Sequence, residues 1–154
     1  MAASVPVVRS ARIDDIPALL PLVGRYWAFE RVPGFDAAKA ARALRELRGD
    51  ERRGAGWLAV DGTTIAGYLL AVYVFSLEHG GVTAEIDEFF LDEGWRGAGL
   101  GRLLLEVAEA AFLARGCSNV SFRIGRHNAA ARRFYERLGY RSVDGFEMME
   151  KPLG

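Results

Sequence analysis

The segment with the clearest chemistry is the glycine-rich run from Arg96 to Arg102, which reads Arg-Gly-Ala-Gly-Leu-Gly-Arg. It joins a strand-like segment to a helix-like one, so we expect it to enter the first turn of a helix directly. Glycine has no Cβ, and the backbone of such a loop can adopt positive φ angles and approach a ligand closely. The first amides of a helix lack partners within it and lie at the positive end of its dipole. The run therefore predicts a backbone site for an anion such as a pyrophosphate.

Two common phosphate-binding motifs do not fit this run. A P-loop continues with Lys and then Ser or Thr, whereas Arg102 and Leu103 follow Gly101 here. A dinucleotide-binding fingerprint has the spacing Gly-x-Gly-x-x-Gly and an acid about 20 residues later, but Asn119 and Val120 stand near that position. The sequence thus disfavours a nucleotide triphosphatase and an NAD enzyme. A glycine-rich turn that only packs a helix near a strand is the alternative.

The elements before the loop follow from hydrophobic periodicity and turn residues. Apolar residues at helical spacing predict a first helix, in which Pro21 should cause a kink or a restart. Asp36 is a candidate N-cap for a second helix that ends near Leu47. Asp61-Gly62 between two apolar runs predicts a hairpin. This half of the chain therefore predicts a strand, two helices and three antiparallel strands, with strands over 6–10, 57–60, 65–75 and 83–91.

The second half of the chain predicts a different order of helices and strands. Apolar residues at i, i+3, i+4, i+7 and i+11 from Leu100 predict an amphipathic helix that ends at Gly116. A strand over 119–124, a helix from Asn128 to Leu138 and a final strand pair over 141–151 follow. The predicted order is βααβββαβαββ, an α/β (α+β) fold with a mixed, mostly antiparallel sheet and helices on both faces.

Composition and charge limit the function classes. The 154 residues suit one domain over 1–154, and 51% of them are hydrophobic, enough for a core. Twenty basic residues balance twenty acidic ones, so no global charge favours nucleic acid or an anionic membrane. The single cysteine and two scattered histidines make neither a disulfide framework nor a metal site. Since no apolar run or leader stands out, we expect a cytoplasmic protein without a metal cofactor.

Two motifs in the second half resemble the GNAT superfamily of acyl-CoA-dependent N-acyltransferases. Arg96, Gly99 and Gly101 match its pyrophosphate loop, Arg/Gln-x-x-Gly-x-Gly/Ala. About 30 residues later, the segment from Asn128 to Tyr140 matches the pattern Asn-x-x-Ala-x-x-Phe-Tyr-x-x-x-Gly-Phe/Tyr. The resemblance covers residues 85–140, and the earlier half agrees only in its order of elements. It implies a single GNAT-like domain that uses acetyl-CoA as its co-substrate.

The resemblance also implies a set of cofactor-binding residues. Pantetheine would pair with strand backbone where the fourth and fifth strands separate, and loop amides would hold the pyrophosphate. Asn128 and Ala131 would contact the pantetheine arm from the last helix, although Asn128 is also a good N-cap. The implied residues are Phe89, Phe90, Leu91, Arg96, Gly97, Ala98, Gly99, Leu100, Gly101, Arg102, Asn128, Ala131 and Tyr135.

Acetyl transfer from a thioester to an amine needs a neutral amine, a stabilised oxyanion and a proton for the departing thiolate. By resemblance Tyr135 is the proton donor, although it also belongs to the apolar face of its helix. The base should be a carboxylate on the strand before the loop, where Asp87 and Glu88 are adjacent. Neighbouring strand residues face opposite sides of a sheet, so we expect only one of the two to face the acceptor. The stretch is similar to Glu-Asp-Phe-Phe-Val of the spermidine/spermine and thialysine N-acetyltransferase branch, with the acids exchanged. The resemblance thus puts Asp87 at the position of that branch's base-like glutamate, and its shorter side chain favours proton removal through a water molecule.

The acceptor pocket implied by the resemblance lies at the first helix, the loop after it and the hairpin. Tyr26, Trp27 and Glu30 are the candidate substrate-binding residues, with Tyr73 and Glu78 as further candidates. Aromatic rings with an acid suit a cationic amine, whereas Trp27 as a core residue and Glu30 as a solvated one are the alternative.

The leading hypothesis is an N-acetyltransferase that acts, by direct attack, on a primary amine of a small molecule such as a polyamine, an amino acid or an amine antibiotic. Protein N-termini or lysines are alternative acceptors, and a non-catalytic acyl-CoA-binding module is an alternative of another class. We expect a homodimer, because members of the superfamily commonly dimerise, and no nucleic-acid or membrane partner.

Overall fold

One sheet of five strands organises the first part of the chain. The computed structural model describes residues 4–154, which divide into two compact units, residues 4–123 and 124–154. The sheet belongs to the first unit and has the strand order β1-β2-β3-β4-β5. The strands are β1 Val7–Ser10, β2 Gly54–Asp61, β3 Thr64–Ser76, β4 Gly81–Leu91 and β5 Val120–Phe122. The first four are antiparallel neighbours, and β5 pairs with β4 in parallel, which makes the sheet mixed as predicted.

Three of the four helices lie in the first unit: α1 Ile16–Phe29, α2 Ala37–Gly49 and α3 Leu100–Ala114. The side chain of Asp36 accepts from the Lys39 amide at 3.0 Å, the predicted N-cap of α2. Helix α1 continues through Pro21 without the restart that we considered. No helix within residues 4–154 is long and apolar enough to cross a membrane.

The helices cover both faces of the sheet, because neighbouring strand residues point to opposite sides. On one face, Leu58, Tyr68 and Leu70 form a buried core with residues of α1 and α2. On the other face, the rings of Trp57 and Tyr73 contact Phe112 of α3. The predicted fold class is therefore confirmed, with α1 and α2 on the face that carries the candidate site.

A β-bulge interrupts the pairing of β3 with β4. Leu70 pairs with Glu88 and the next residue, Ala71, pairs with Ile86, so Asp87 is the additional residue on β4. A bulge breaks the simple alternation of side chains between the two faces. The acidic part of β4 is therefore the place where the expected alternation fails.

The second unit contains α4, Ala129–Arg137, whose N-cap is Asn128 as predicted. Gly139 follows with a φ of 92°, which ends the helix where the sequence indicates. The predicted strand pair over 141–151 is wrong, since no strand occurs there in the described chain. Strand structure needs a hydrogen-bonded neighbour, which an apolar pattern does not provide, and Gly145 interrupts the segment with a φ of 90°.

Candidate active site

The glycine-rich loop has the backbone geometry that its sequence predicts. Gly97 and Gly99 have φ angles of 84° and 80°, and Gly99 is the N-cap of α3. The Leu103 amide donates to the Gly99 carbonyl at 3.1 Å, so the amides before it in this first turn have no acceptor inside the helix. Apart from each glycine and its two chain neighbours, no heavy atom lies within 4 Å of the position that a Cβ would take on Gly97 or Gly99. The loop thus presents an open, backbone-lined surface at the positive end of the α3 dipole.

The two arginines that border the loop make other contacts. The Arg96 guanidinium lies 4.9 Å from the centre of the Phe29 ring and 5.3 Å from that of Phe90, and its Nε donates to the Leu91 carbonyl at 3.0 Å. Arg102 Nε donates to Glu106 at 2.7 Å along α3. An anion at this loop would therefore be held first by backbone amides and by the helix dipole.

The strand before the loop extends past its parallel neighbour. The β4–β5 ladder joins only Ala84, Glu85 and Ile86 to β5, whereas β4 itself continues to Leu91. The predicted pantetheine-pairing residues, Phe89 to Leu91, lie in this extension. Phe90 is buried against Tyr26 and Phe29 of α1, so its side chain is part of the core. This packing is independent of the predicted pairing of its backbone with pantetheine. Its neighbour Phe89 is half-buried.

Both carboxylates of β4 line one pocket. The bulge places Asp87 and Glu88 at the same cavity, which has a volume of about 330 Å³. The expectation that only one of them faces the acceptor assumed a regular strand, which the bulge interrupts here, and it stays a prediction. Asp87 is exposed and Glu88 is largely buried, so the two acids share a pocket but differ in solvation.

Glu88 is held by two hydrogen bonds from different elements. Trp27 Nε1 of α1 donates to its Oε2 at 2.8 Å, and the Tyr68 hydroxyl of β3 donates to its Oε1 at 2.8 Å. Burial raises the pKa of Glu88 above its usual value, and the charge of Asp87 also raises it, while the two hydrogen bonds act in the opposite direction. Burial raises the pKa of Tyr68 as well, as does the charge of Glu88, so this phenol remains a donor across the neutral range.

The pocket lies between α1 and α2 on one side and the sheet on the other. Of the predicted substrate-binding residues, Trp27 lines it, whereas Tyr26 packs beside it with its ring on Tyr68 and Phe90. Glu30 is half-buried at the end of α1 and does not line the pocket. Tyr73 lies on the α3 face, where Arg115 stacks on its ring at 4.0 Å, and Glu78 is exposed in the β3–β4 turn.

Most of the pocket wall comes from residues that the sequence did not single out. The apolar side of α2 was visible in the pattern, but nothing in it indicated that this side borders a cavity. Tyr68 gave no signal within its apolar strand, because its hydrogen bond to Glu88 crosses from β3 to β4. Tyr68 itself does not line the pocket; besides Trp27, Asp87 and Glu88, the lining residues are Val23, Ala40, Ala43, Leu44, Glu46, Leu47, Arg53, Leu70 and Val72.

Charge in the pocket favours a cation. Its ionisable lining residues are Glu46, Arg53, Asp87 and Glu88. Arg53 and Glu46 form an ion pair at 3.0 Å, which leaves the two β4 carboxylates as the excess charge. The apolar residues of α1, α2 and β3 complete the wall, so the pocket suits a small ligand with an apolar body and a positive group.

The residues predicted on the last helix belong to the second unit. Asn128 Oδ1 accepts from the Ala131 amide at 3.1 Å, so its capping role is observed directly. The Tyr135 ring contacts those of Phe134 and Tyr140 at centroid distances of 5.2 and 5.8 Å. Ala131, Phe134, Tyr135 and Leu138, the apolar side that the spacing indicated, are half-buried, as is Arg132.

Comparison with known proteins gives the site its context. The model of the acetyltransferase (GNAT) family matches residues 20–140. An integron cassette protein from the metagenome of Cole Harbour salt marsh has 28% identity and a TM-score of 0.82, over 96% of this chain and 90% of that one. An aminoglycoside acetyltransferase from an uncultured soil metagenomic sample, solved with sisomicin, has 16% identity and a TM-score of 0.78, over 97% of each chain.

A predicted acetyltransferase from Clostridium acetobutylicum, solved with acetyl-CoA, has 16% identity and a TM-score of 0.82, over 95% of this chain and 96% of that one. A search of curated protein sequences gave no significant match. At these low identities, the last two structures establish a common fold alone. The family match spans most of the chain, including the loop and both carboxylates. The chain therefore belongs to the acetyltransferase (GNAT) family.

Proposed function

We propose that this protein is an N-acetyltransferase that moves an acetyl group from acetyl-CoA to the primary amine of a small molecule. The observation that carries the proposal is the pocket in which Asp87 and Glu88 lie together, at the end of the β4–β5 ladder. The similarity of Asp87 to Leu91 to the spermidine/spermine and thialysine branch also supports an amine acceptor. Polyamines, amino acids and amine antibiotics are the acceptor classes that fit.

The residues of the loop fit acetyl-CoA, which supplies the acetyl thioester. The backbone from Gly97 to Arg102 would hold the pyrophosphate, because Gly97 and Gly99 have positive φ angles and open space where a Cβ would lie. Backbone of Phe89 to Leu91 would pair with pantetheine beyond the last β4–β5 pair at Ile86. Asn128 and Ala131 of α4 are proposed, by the resemblance, as further residues that bind the pantetheine arm.

Direct transfer requires two proton movements by side chains of this chain. An acceptor arrives as an ammonium ion, and Glu88 takes its proton, directly or through a water molecule. The neutral nitrogen then forms the new C–N bond as the C–S bond breaks. Tyr135 donates its phenolic proton to the departing thiolate, whose conjugate thiol has a pKa of about 8.5, and is reprotonated from solvent. The second amine proton and the proton held by Glu88 then pass to solvent, which has returned a proton to Tyr135, so the products are the amide, free CoA and one net proton.

Glu88 is the better base of the two acids. A general base works best when its pKa lies near the working pH, and burial raises the pKa of Glu88 towards that range. Asp87 is exposed, one methylene shorter and on the bulge. We assign to Asp87 the attraction of the cationic acceptor, which its charge in the same pocket supports.

The test combines an acceptor screen with one matched pair of variants. Release of free thiol from acetyl-CoA is measured over a panel of polyamines, amino acids, amine antibiotics and peptides with free N-termini. For the best acceptor, Glu88→Gln should lower kcat/KM most at low pH and recover partly as pH rises, because more amine is then neutral. Asp87→Asn should still show an acidic limb, with its midpoint moved to lower pH, because the charge of Asp87 raises the pKa of Glu88. Turnover of peptides alone, or the opposite result for the two variants, would overturn the proposal.

A further inference from the structure

The Glu88 carboxylate accepts two hydrogen bonds from side chains, which proton removal by itself does not require. Trp27 and Tyr68 belong to α1 and β3, and each donates to a different oxygen of the same carboxylate at 2.8 Å. One donor on each oxygen fixes the plane of a carboxylate, which a single bond does not. A carboxylate has about four acceptor positions, so two donors leave room for an ammonium group or a water molecule.

We propose that Trp27 and Tyr68 are positioning residues that keep the Glu88 carboxylate ionised and oriented for proton removal. This inference rests on the proposed function, in which Glu88 is the base. Trp27 was predicted to bind substrate, and its hydrogen bond assigns it this additional role.

The need for such donors follows from burial. Glu88 is largely buried, and desolvation favours the protonated acid, which cannot act as a base. Donors directed at the ionised form oppose this effect. Indole N–H is a donor only, and the buried phenol of Tyr68 keeps its proton because desolvation and the nearby charge raise its pKa. Neither group can therefore take over the proton that Glu88 is meant to accept.

A neighbouring charge acts on Glu88 through space. Asp87 is adjacent on β4, and its charge opposes ionisation of Glu88. Tyr26 packs its ring on Tyr68, and the charge of Glu88 contributes to the raised pKa of the Tyr26 phenol. Glu46 of α2 and Arg53 before β2 line the same pocket, and the charges of Glu30 and Arg123 act on Tyr26.

Two readouts test the proposal. The pKa of Glu88 is measured from its side-chain carboxyl ¹³C resonance, which is assigned by its loss in Glu88→Gln. The acidic limb of kcat/KM is measured on the same proteins. Tyr68→Phe and Trp27→Phe each remove one donor and keep an aromatic ring. Each should raise the pKa of Glu88 by about one unit, which is the effect of one hydrogen bond to a charged group, and move the acidic limb to higher pH by the same amount.

Trp57→Phe is the matched control, since it removes an indole that packs on Phe112 at the opposite face of the sheet, and it should leave both midpoints unchanged. A structural role alone would lower the melting temperature of Tyr68→Phe or Trp27→Phe without moving either midpoint, and that result would overturn the inference. Because Tyr68 is fully buried, the half-buried Trp27 provides the second variant if Tyr68→Phe does not fold. If Glu88→Gln keeps the acidic limb of the wild type, the base assignment fails instead, and the resonance still reports whether the two donors lower the pKa of Glu88.

Discussion

The glycine loop and the carboxylate pocket of the first unit are built in opposite ways. The loop is one consecutive segment, and its binding groups are backbone amides and a helix terminus. The pocket collects side chains from α1, α2, β3 and β4. The glycine loop therefore depends on the absence of side chains at a few positions. The carboxylate pocket depends on hydrogen bonds between residues that are distant in the sequence. Substitutions should affect the two regions in different ways.

The largest expected effect is at the loop. Gly99→Val places a β-branched side chain at a φ of 80°, on the surface where the pyrophosphate would lie, and should abolish CoA binding in isothermal titration calorimetry. Gly116→Val is the matched control, because Gly116 follows the other end of α3 with a φ of 87° and open space around its Cβ position. It should cost similar stability and retain CoA binding. Near-native affinity of folded Gly99→Val would contradict the loop assignment.

Turnover should depend on a group that neither the loop nor the pocket contains. Tyr135→Phe removes one oxygen and keeps the ring that contacts Phe134 and Tyr140. Loss of a general acid should lower kcat by roughly 10²–10³, while calorimetry shows unchanged acetyl-CoA binding. Full turnover on an amine that the wild type acetylates well would contradict the general-acid role and leave Tyr135 with packing alone.

A smaller effect separates the two carboxylates. Asp87→Asn removes an exposed charge from the pocket and should raise KM for a cationic acceptor by up to about fivefold, the scale of an exposed ion pair. The charge of Asp87 raises the pKa of Glu88, so the acidic limb should move to lower pH, opposite to the shift expected for Tyr68→Phe. Steady-state kinetics from about pH 5 to about pH 9 measures both KM and the midpoint of the acidic limb. An unchanged KM together with an unchanged limb would remove Asp87 from the site.

The smallest effect is expected at the far side of the pocket. Glu46 already pairs with Arg53 at 3.0 Å, and both side chains are more than half exposed. Glu46→Gln should change KM by less than about twofold, measured on the same acceptor as Asp87→Asn. A larger increase would show that the acceptor reaches Glu46 with a second cationic group.

Much of the fold was predictable because its signals are local. Several boundaries of helices and strands are set by neighbouring residues: the caps Asp36 and Asn128, the Asp61-Gly62 turn and the periodicity from Leu100. Leu103 is an instructive exception, since it follows the helical spacing but is 41% exposed. The strands expected over 141–151 failed for a different reason, because pairing with a neighbour is not encoded in a short alternating pattern.

The sequence by itself determined the glycine loop, the helix that follows it and the presence of two acids just before it, since these depend on residues close together in the chain. Only the tertiary structure decided what those acids do. The bulge opposite Leu70 and Ala71 brings Asp87 and Glu88 to one pocket, and the donors on Glu88 come from residues 61 and 20 positions away. Desolvation and hydrogen bonding set the proton affinity of a carboxylate, and both arise only when α1, β3 and β4 have packed together.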